Sequence, residues 1–123
     1  MTDEDRKQLL NDKQGGLLAY EYLANHIFNL DATELEFILD SLYKADLNGQ
    51  FSVSAARYLA AIDKTKYKIY IDRLVKNAID RDRERRYIGD LLESLWGKDY
   101  HEKAHELALS DDNFRRIYKR IFN

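Results

Sequence analysis

Proline does not occur in this 123-residue chain, and glycine occurs only five times. Both residues break or weaken helices, the first by removing an N–H and clashing with the preceding turn, the second by its backbone entropy. Their scarcity leaves long stretches in which nothing stops a helix, and it predicts an all-α fold. The hydrophobic share of 45% and charged share of 34% suit a chain with a core to bury. At this length a single core covers roughly two thirds of the unfolded surface. The expectation is one helical domain over residues 1–123, with residues 1–16 set apart as a candidate flexible N-terminal segment.

Capping residues and glycines divide the chain into amphipathic segments. Thr2, followed by Asp3, Glu4 and Asp5, reads as a helix start, because acids are favoured at the positive end of the helix dipole. Gly15-Gly16 ends that segment. A second helix is expected over Leu17 to Asn29, with Leu17, Tyr20, Ala24, Ile27 and Phe28 on its apolar face. Asp31 and Glu34 have capping-box spacing before a stripe of Leu35, Ile38, Leu39 and Leu42. Beyond Asn48-Gly49, Ser52 or Ser54 caps a helix to Ile62 that turns Val53, Ala56, Leu59 and Ala60 inward. Thr65 starts the next.

From Tyr67 the positions Ile71, Leu74, Ala78, Arg81, Arg85, Ile88, Leu92 and Leu95 follow at steps of four and three, a heptad seam with two arginines inside it. Either one helix runs to Trp96 or it breaks near "DRDRE", where Asp80 and Asp82 are competent caps. After Gly97, short helices are expected over Tyr100–Leu109 and Asp111–Phe122, the latter behind a Ser110 cap. The fold class is thus a compact bundle of about six or seven amphipathic helices. At most a vestigial two-stranded sheet accompanies it, from the weakly alternating "QFSVS" and "YKIYI".

Composition excludes several chemistries. With no cysteine there is no disulfide framework, thiolate nucleophile or cysteine zinc site. The N-terminus is charged where a secretory signal needs an apolar run, and no apolar stretch has the length of a membrane span, so a cytoplasmic location is expected. Residues 1–63 carry 5 Lys/Arg against 11 Asp/Glu, and residues 64–123 carry 15 against 11. The asymmetry fits acidic helices packed on basic ones, or a basic binding face in the second half.

The sharpest motif is "HEKAH" at 101–105, the H-E-x-x-H spacing that lets two histidines on one helix hold zinc while the glutamate polarises bound water. "HEKAHELALSD" resembles the extended metzincin pattern, which implies His101, His105 and Asp111 as ligands. Ala108 stands where that pattern needs a glycine to turn the chain back to the metal. Asp99, three residues before Glu102, offers that glutamate a capping-box role instead. A polar helix face is the preferred reading, with no metal and no cofactor; a zinc-dependent hydrolase is the remote alternative. "KADLNGQFSVSA" resembles a calcium-binding EF-hand loop, but Lys44 and Ala55 occupy its first and last positions, where calcium needs carboxylates.

Two readings concern partners. Residues 52–79 have a helix-turn-helix outline, and the basic segment 64–86 places Lys64, Lys66, Lys68, Arg73 and Lys76 to meet phosphate, so a nucleic-acid-binding regulator is the alternative function. The C-terminal "SDDNFRRIYKRIFN" is a basic amphipathic helix with an apolar stripe of Phe114, Ile117, Tyr118 and Ile121; docking on its own core is the preferred reading, with an anionic membrane or a partner groove as the alternatives. The favoured function is a non-enzymatic module that binds a protein partner, with homo-oligomerisation open. Arg81, Arg85, Arg86 and Tyr87 are the candidate site, because guanidinium groups in an apolar seam must reach solvent, find acids or mark a docking surface.

Overall fold

The computed structural model describes residues 1–123 and is helical throughout: eight α-helices and one 3-10 turn, with no strand. The chain divides into two compact units, residues 1–47 and 48–123. The helix count exceeds the expected six or seven because the N-terminal segment forms its own capped helix and the 66–96 stretch breaks in two. No vestigial sheet forms. "QFSVS" lies within one helix and "YKIYI" runs from the N-cap Tyr67 into the next, because the buried set Ser52, Val53, Ala56, Leu59 and Ala60 and the set Tyr67, Ile71, Leu74, Val75 and Ala78 keep helical spacing over a longer window than the alternation does.

In the first unit, α1 (Asp3–Leu10) starts at a complete capping box: Thr2 Oγ1 accepts from the Asp5 amide while the Asp5 carboxylate accepts from the Thr2 amide. That backbone bond from Thr2 is the main reason the Asp5 carboxyl titrates below its usual range. The Tyr22 hydroxyl of α2 (Leu17–His26) donates to the same carboxylate at 3.1 Å. α3 (Ala32–Ala45) begins at the predicted Asp31/Glu34 box and buries the predicted stripe of Leu35, Ile38, Leu39 and Leu42.

The predicted face of α2 is only partly right. Ala19, Leu23 and Ile27 are buried, whereas Phe28 is 78% exposed. The helix ends at His26 and tightens into a 3-10 turn over Ile27–Asn29. Three residues per turn shift the phase of the pattern there and swing Phe28 outward.

In the second unit, α4 (Gln50–Asp63) and α5 (Lys68–Arg81) form an antiparallel pair, since Asn77 late in α5 donates to Ser52 early in α4 at 2.8 Å. Ser52 is therefore a buried interior residue and not the cap. Gly49 holds that position in a left-handed conformation, φ 84°, where a Cβ would come within 3.1 Å of the Ala78 carbonyl oxygen. The connection to α5 is tied by Asp63, whose Oδ1 accepts from the amides of Thr65 and Lys66.

The 67–95 seam holds as far as Ala78 and then stops. α5 ends at Arg81, and Asp82 is buried and folds the chain into a loop before α6 (Asp90–Trp96). Gly97 ends α6 as expected. α7 (Ala104–Ser110) is short and buries no residue. α8 (Asp112–Phe122) is capped by Asp111, whose Oδ1 accepts from the Phe114 amide, so the expected Ser110 cap is displaced by one residue. Phe114 and Ile117 are fully buried, with Trp96 meeting Phe114 edge-on at 5.2 Å between ring centroids. The basic C-terminal helix thus docks on the core of its own unit.

Candidate functional site

Asp82 organises the loop that carries Arg85 to α8. Its Oδ1 accepts from the Arg86 amide at 3.0 Å, and its Oδ2 accepts from the amides of Tyr87 and Ile88 at 2.7 and 2.8 Å. Three consecutive backbone donors close on one carboxylate, which satisfies loop N–H groups between α5 and α6 that no helical bond pairs. The intervening residues are forced outward, and Arg85 takes a left-handed backbone with φ 61°.

Arg85 reaches α8 from this loop. Its Nη1 donates to the carbonyl oxygen of Arg120 at 3.0 Å, and the Arg120 Nη1 in turn donates to the carbonyl oxygen of Ile79 in α5 at 2.6 Å. Arg85, Arg115, Arg116, Lys119, Arg120 and Asn123 line one open depression, with no acidic side chain among them. Arg116 pairs with Asp80 at 3.2 Å and Arg115 with Asp112 at 2.6 Å at its edge. Arg115 is the main cause of the depressed Asp112 titration. Arg85 and Arg120 are held by carbonyl oxygens instead, so their positions are fixed while their charges stay whole.

The four residues of the predicted partner site do not act alike. Arg85 faces the depression; Arg86 is exposed and pairs with Glu84 at 2.7 Å. Tyr87 is half-buried, with its amide on Asp82. Arg81 is half-buried at the end of α5 and is engaged within the fold. Neither Arg81 nor Arg85 lies in a continuous apolar seam, because the helix ends between them.

The cations of the helix-turn-helix alternative are dispersed. Lys64 donates to the Leu95 carbonyl oxygen at 3.0 Å, and Lys66 lies over the Tyr67 ring in the α4–α5 turn. Lys68, Asp72, Lys76 and Asp80 follow at i,i+4 along α5, a ridge of alternating sign in which Lys68 pairs with Asp72 at 3.0 Å. That bond raises the Lys68 titration. Arg73 is half-buried and engaged.

The motif at 101–105 does not sit on one helix. His101 lies in the turn before α7 and His105 within it. The His101 Nδ1 is 2.8 Å from the Tyr118 hydroxyl, with the Phe122 ring 5.2 Å away. Asp111 is occupied by the Phe114 amide and by the Trp96 Nε1, which donates to its Oδ2 at 2.9 Å. The predicted box between Asp99 and Glu102 is absent. Asp99 pairs with Lys103 at 2.9 Å, which lowers the titration of the first and raises that of the second. No set of three His, Asp or Glu side chains is grouped to hold a metal ion. In the EF-hand-like segment Asp46 is fully buried and Asn48 Oδ1 accepts from the Gln50 amide, the work of a helix-to-helix connection.

Sequence reasoning found Arg85 and the basic C-terminal helix separately and missed that they meet. Contact between residues 35 apart leaves no trace in local spacing. No helix is long and apolar enough to cross a membrane. No family model matches the chain, and no curated protein or solved structure matches it.

Proposed function

We propose that the chain is a non-enzymatic interaction module that binds a protein partner, and that an acidic segment of the partner lies against the cationic face formed by Arg85, Arg86 and α8. The supporting observation is the lining of the depression, five basic side chains with no acidic side chain among them, in which Arg85, Lys119 and Arg120 make no ion pair. Converging like charges raise the local potential and steer an oppositely charged partner. Guanidinium groups already held in place lose little rotamer entropy on binding, which favours affinity as well as encounter.

The alternating ridge on α5 speaks for this face over the helix-turn-helix reading, since a recognition helix meeting phosphates gains nothing from Asp72 and Asp80 among its lysines. The test compares wild-type protein with an Arg115→Glu/Lys119→Glu variant as immobilised baits for extract of the native host, beside a duplex DNA titration at low salt. Proteins retained by the wild type and lost from the variant support the reading. Identical capture by both, or duplex binding sensitive to Lys68→Glu and Lys76→Glu, overturns it.

A further inference from the structure

We infer that the depression between the 82–88 loop and α8 receives a phosphate monoester carried on the partner's acidic segment, an inference that rests on the reading of this face as the partner surface. A carboxylate brings one negative charge and can occupy one guanidinium fork. A phosphorylated side chain brings about 1.5 to 2 charges on three acceptor oxygens. The depression offers more than one fork can use: Arg85, Lys119 and Arg120, with Arg115 and Arg116 at its edge. One Nη of Arg85 and one of Arg120 are spent on carbonyl oxygens, which leaves the other donors of each fork for a ligand that wants several at once.

The surroundings narrow the source of that phosphate. Asp80, Asp112 and Glu84 sit on the outer arginines, so the positive patch is local and ringed by acids. A nucleic acid, with a charge every ~1.7 Å of duplex axis, is better served by a continuous stripe. No aromatic ring lines the depression to stack a base. Membrane insertion needs the apolar face of α8, and Phe114 and Ile117 have already buried that face in the unit's own core. One compact dianion flanked by carboxylates matches what remains.

The full chain is titrated, by fluorescence anisotropy at ~150 mM salt, with a labelled peptide of alternating glutamate and glycine carrying one central phosphoserine. Matched peptides carry glutamate or serine there; phosphatidic acid vesicles and a short DNA duplex form the other arms. The phosphopeptide is expected to bind at least ten-fold more tightly than the glutamate peptide, and inorganic pyrophosphate to displace it. Lys119→Glu, at an exposed position whose side chain makes no hydrogen bond or ion pair, removes that preference; Arg85→Gly does the same while keeping the loop's backbone. Equal binding of the phosphoserine and glutamate peptides, both lost in Lys119→Glu, overturns the phosphate inference and leaves the acidic-segment reading standing. Binding of none of the peptides overturns the inference, and unaltered capture of host proteins by the Arg115→Glu/Lys119→Glu bait overturns the broader reading as well. Vesicles or duplex bound more tightly than the phosphopeptide assign the face to lipid or nucleic acid and overturn both.

Discussion

Replacing Asp82 by alanine removes a side chain that is 2% exposed and frees three amide donors at once. The donors differ in what they can find next. Arg86 is exposed and Tyr87 half-buried, so water can reach their amides, whereas Ile88 is fully buried and its N–H is stranded. A stranded buried donor costs about 1–3 kcal/mol, and each lost bond to a charged acceptor about 1.5–3 kcal/mol before water compensates. Relief from burying the carboxylate offsets part of this, and the expected loss is about 3 kcal/mol. That is a large share of the roughly 5–15 kcal/mol that holds a domain together. Urea denaturation followed through Trp96, the sole tryptophan, reads the loss in the unit that contains it. Asp82→Asn keeps one acceptor oxygen but turns an NH2 toward amide donors, and is expected to fall about midway. Hydrogen exchange at residues 86–88 should accelerate in both variants. An Asp82→Ala protein within about 1 kcal/mol of wild type would refute the claim that this carboxylate builds the loop.

Gly49→Ala is expected to destabilise by about 1–3 kcal/mol, because it combines a left-handed backbone with a Cβ 3.1 Å from the Ala78 carbonyl oxygen; thermal melting checks it. Trp96→Phe keeps a ring against Phe114 but loses the bond to Asp111, for a cost of about 1 kcal/mol plus the lost area. A melt by circular dichroism, which needs no tryptophan, measures that loss. Stability should fall with acid through carboxyls held below their usual range in the fold. Asp5, Asp99 and Asp112 contribute fully above the ordinary value of 3.8 and lose their contributions as the pH drops through their lowered values. Asp5→Asn should flatten that part of the stability profile, and denaturation series between pH 6 and roughly pH 2 decide it.

Elements whose signals are local were readable in the sequence. The Thr2 and Asp31 caps, the α3 stripe and the inward face of α4 each depend on residues within a turn or two of one another. The errors lie where a distant contact or a change of helix type overrides the local pattern. Phe28 left its face because a 3-10 turn changed the period, and Ser52 was drawn into the core by Asn77 on another helix. Spacing alone also threaded Arg85 into a heptad seam, since nothing local announces that Asp82 will gather three amides and end the helix. The candidate site suffered most, because its two halves lie on a loop and a terminal helix whose meeting depends on the fold of the whole second unit.

Arg85 gives the sharpest separation between structural and functional roles. A non-glycine residue at φ 61° bears a cost of about 1–2 kcal/mol relative to a right-handed conformation, which glycine would escape. Against that, glycine carries about 0.4–1 kcal/mol of extra unfolded-chain entropy, and the substitution removes the bond to the Arg120 carbonyl oxygen, net about 1 kcal/mol. The three contributions nearly cancel, so Arg85→Gly should melt within a few degrees of wild type. Folding therefore gives little reason to hold an arginine at this position, and the binding face gives one. If the arginine is there for a partner, the glycine variant combines near-native stability with loss of binding to the cationic face. If it is there for the fold, the variant melts well below wild type while any binding through Lys119 and Arg115 persists. A large stability loss with unchanged binding would move Arg85 out of the site and leave α8 to carry it alone.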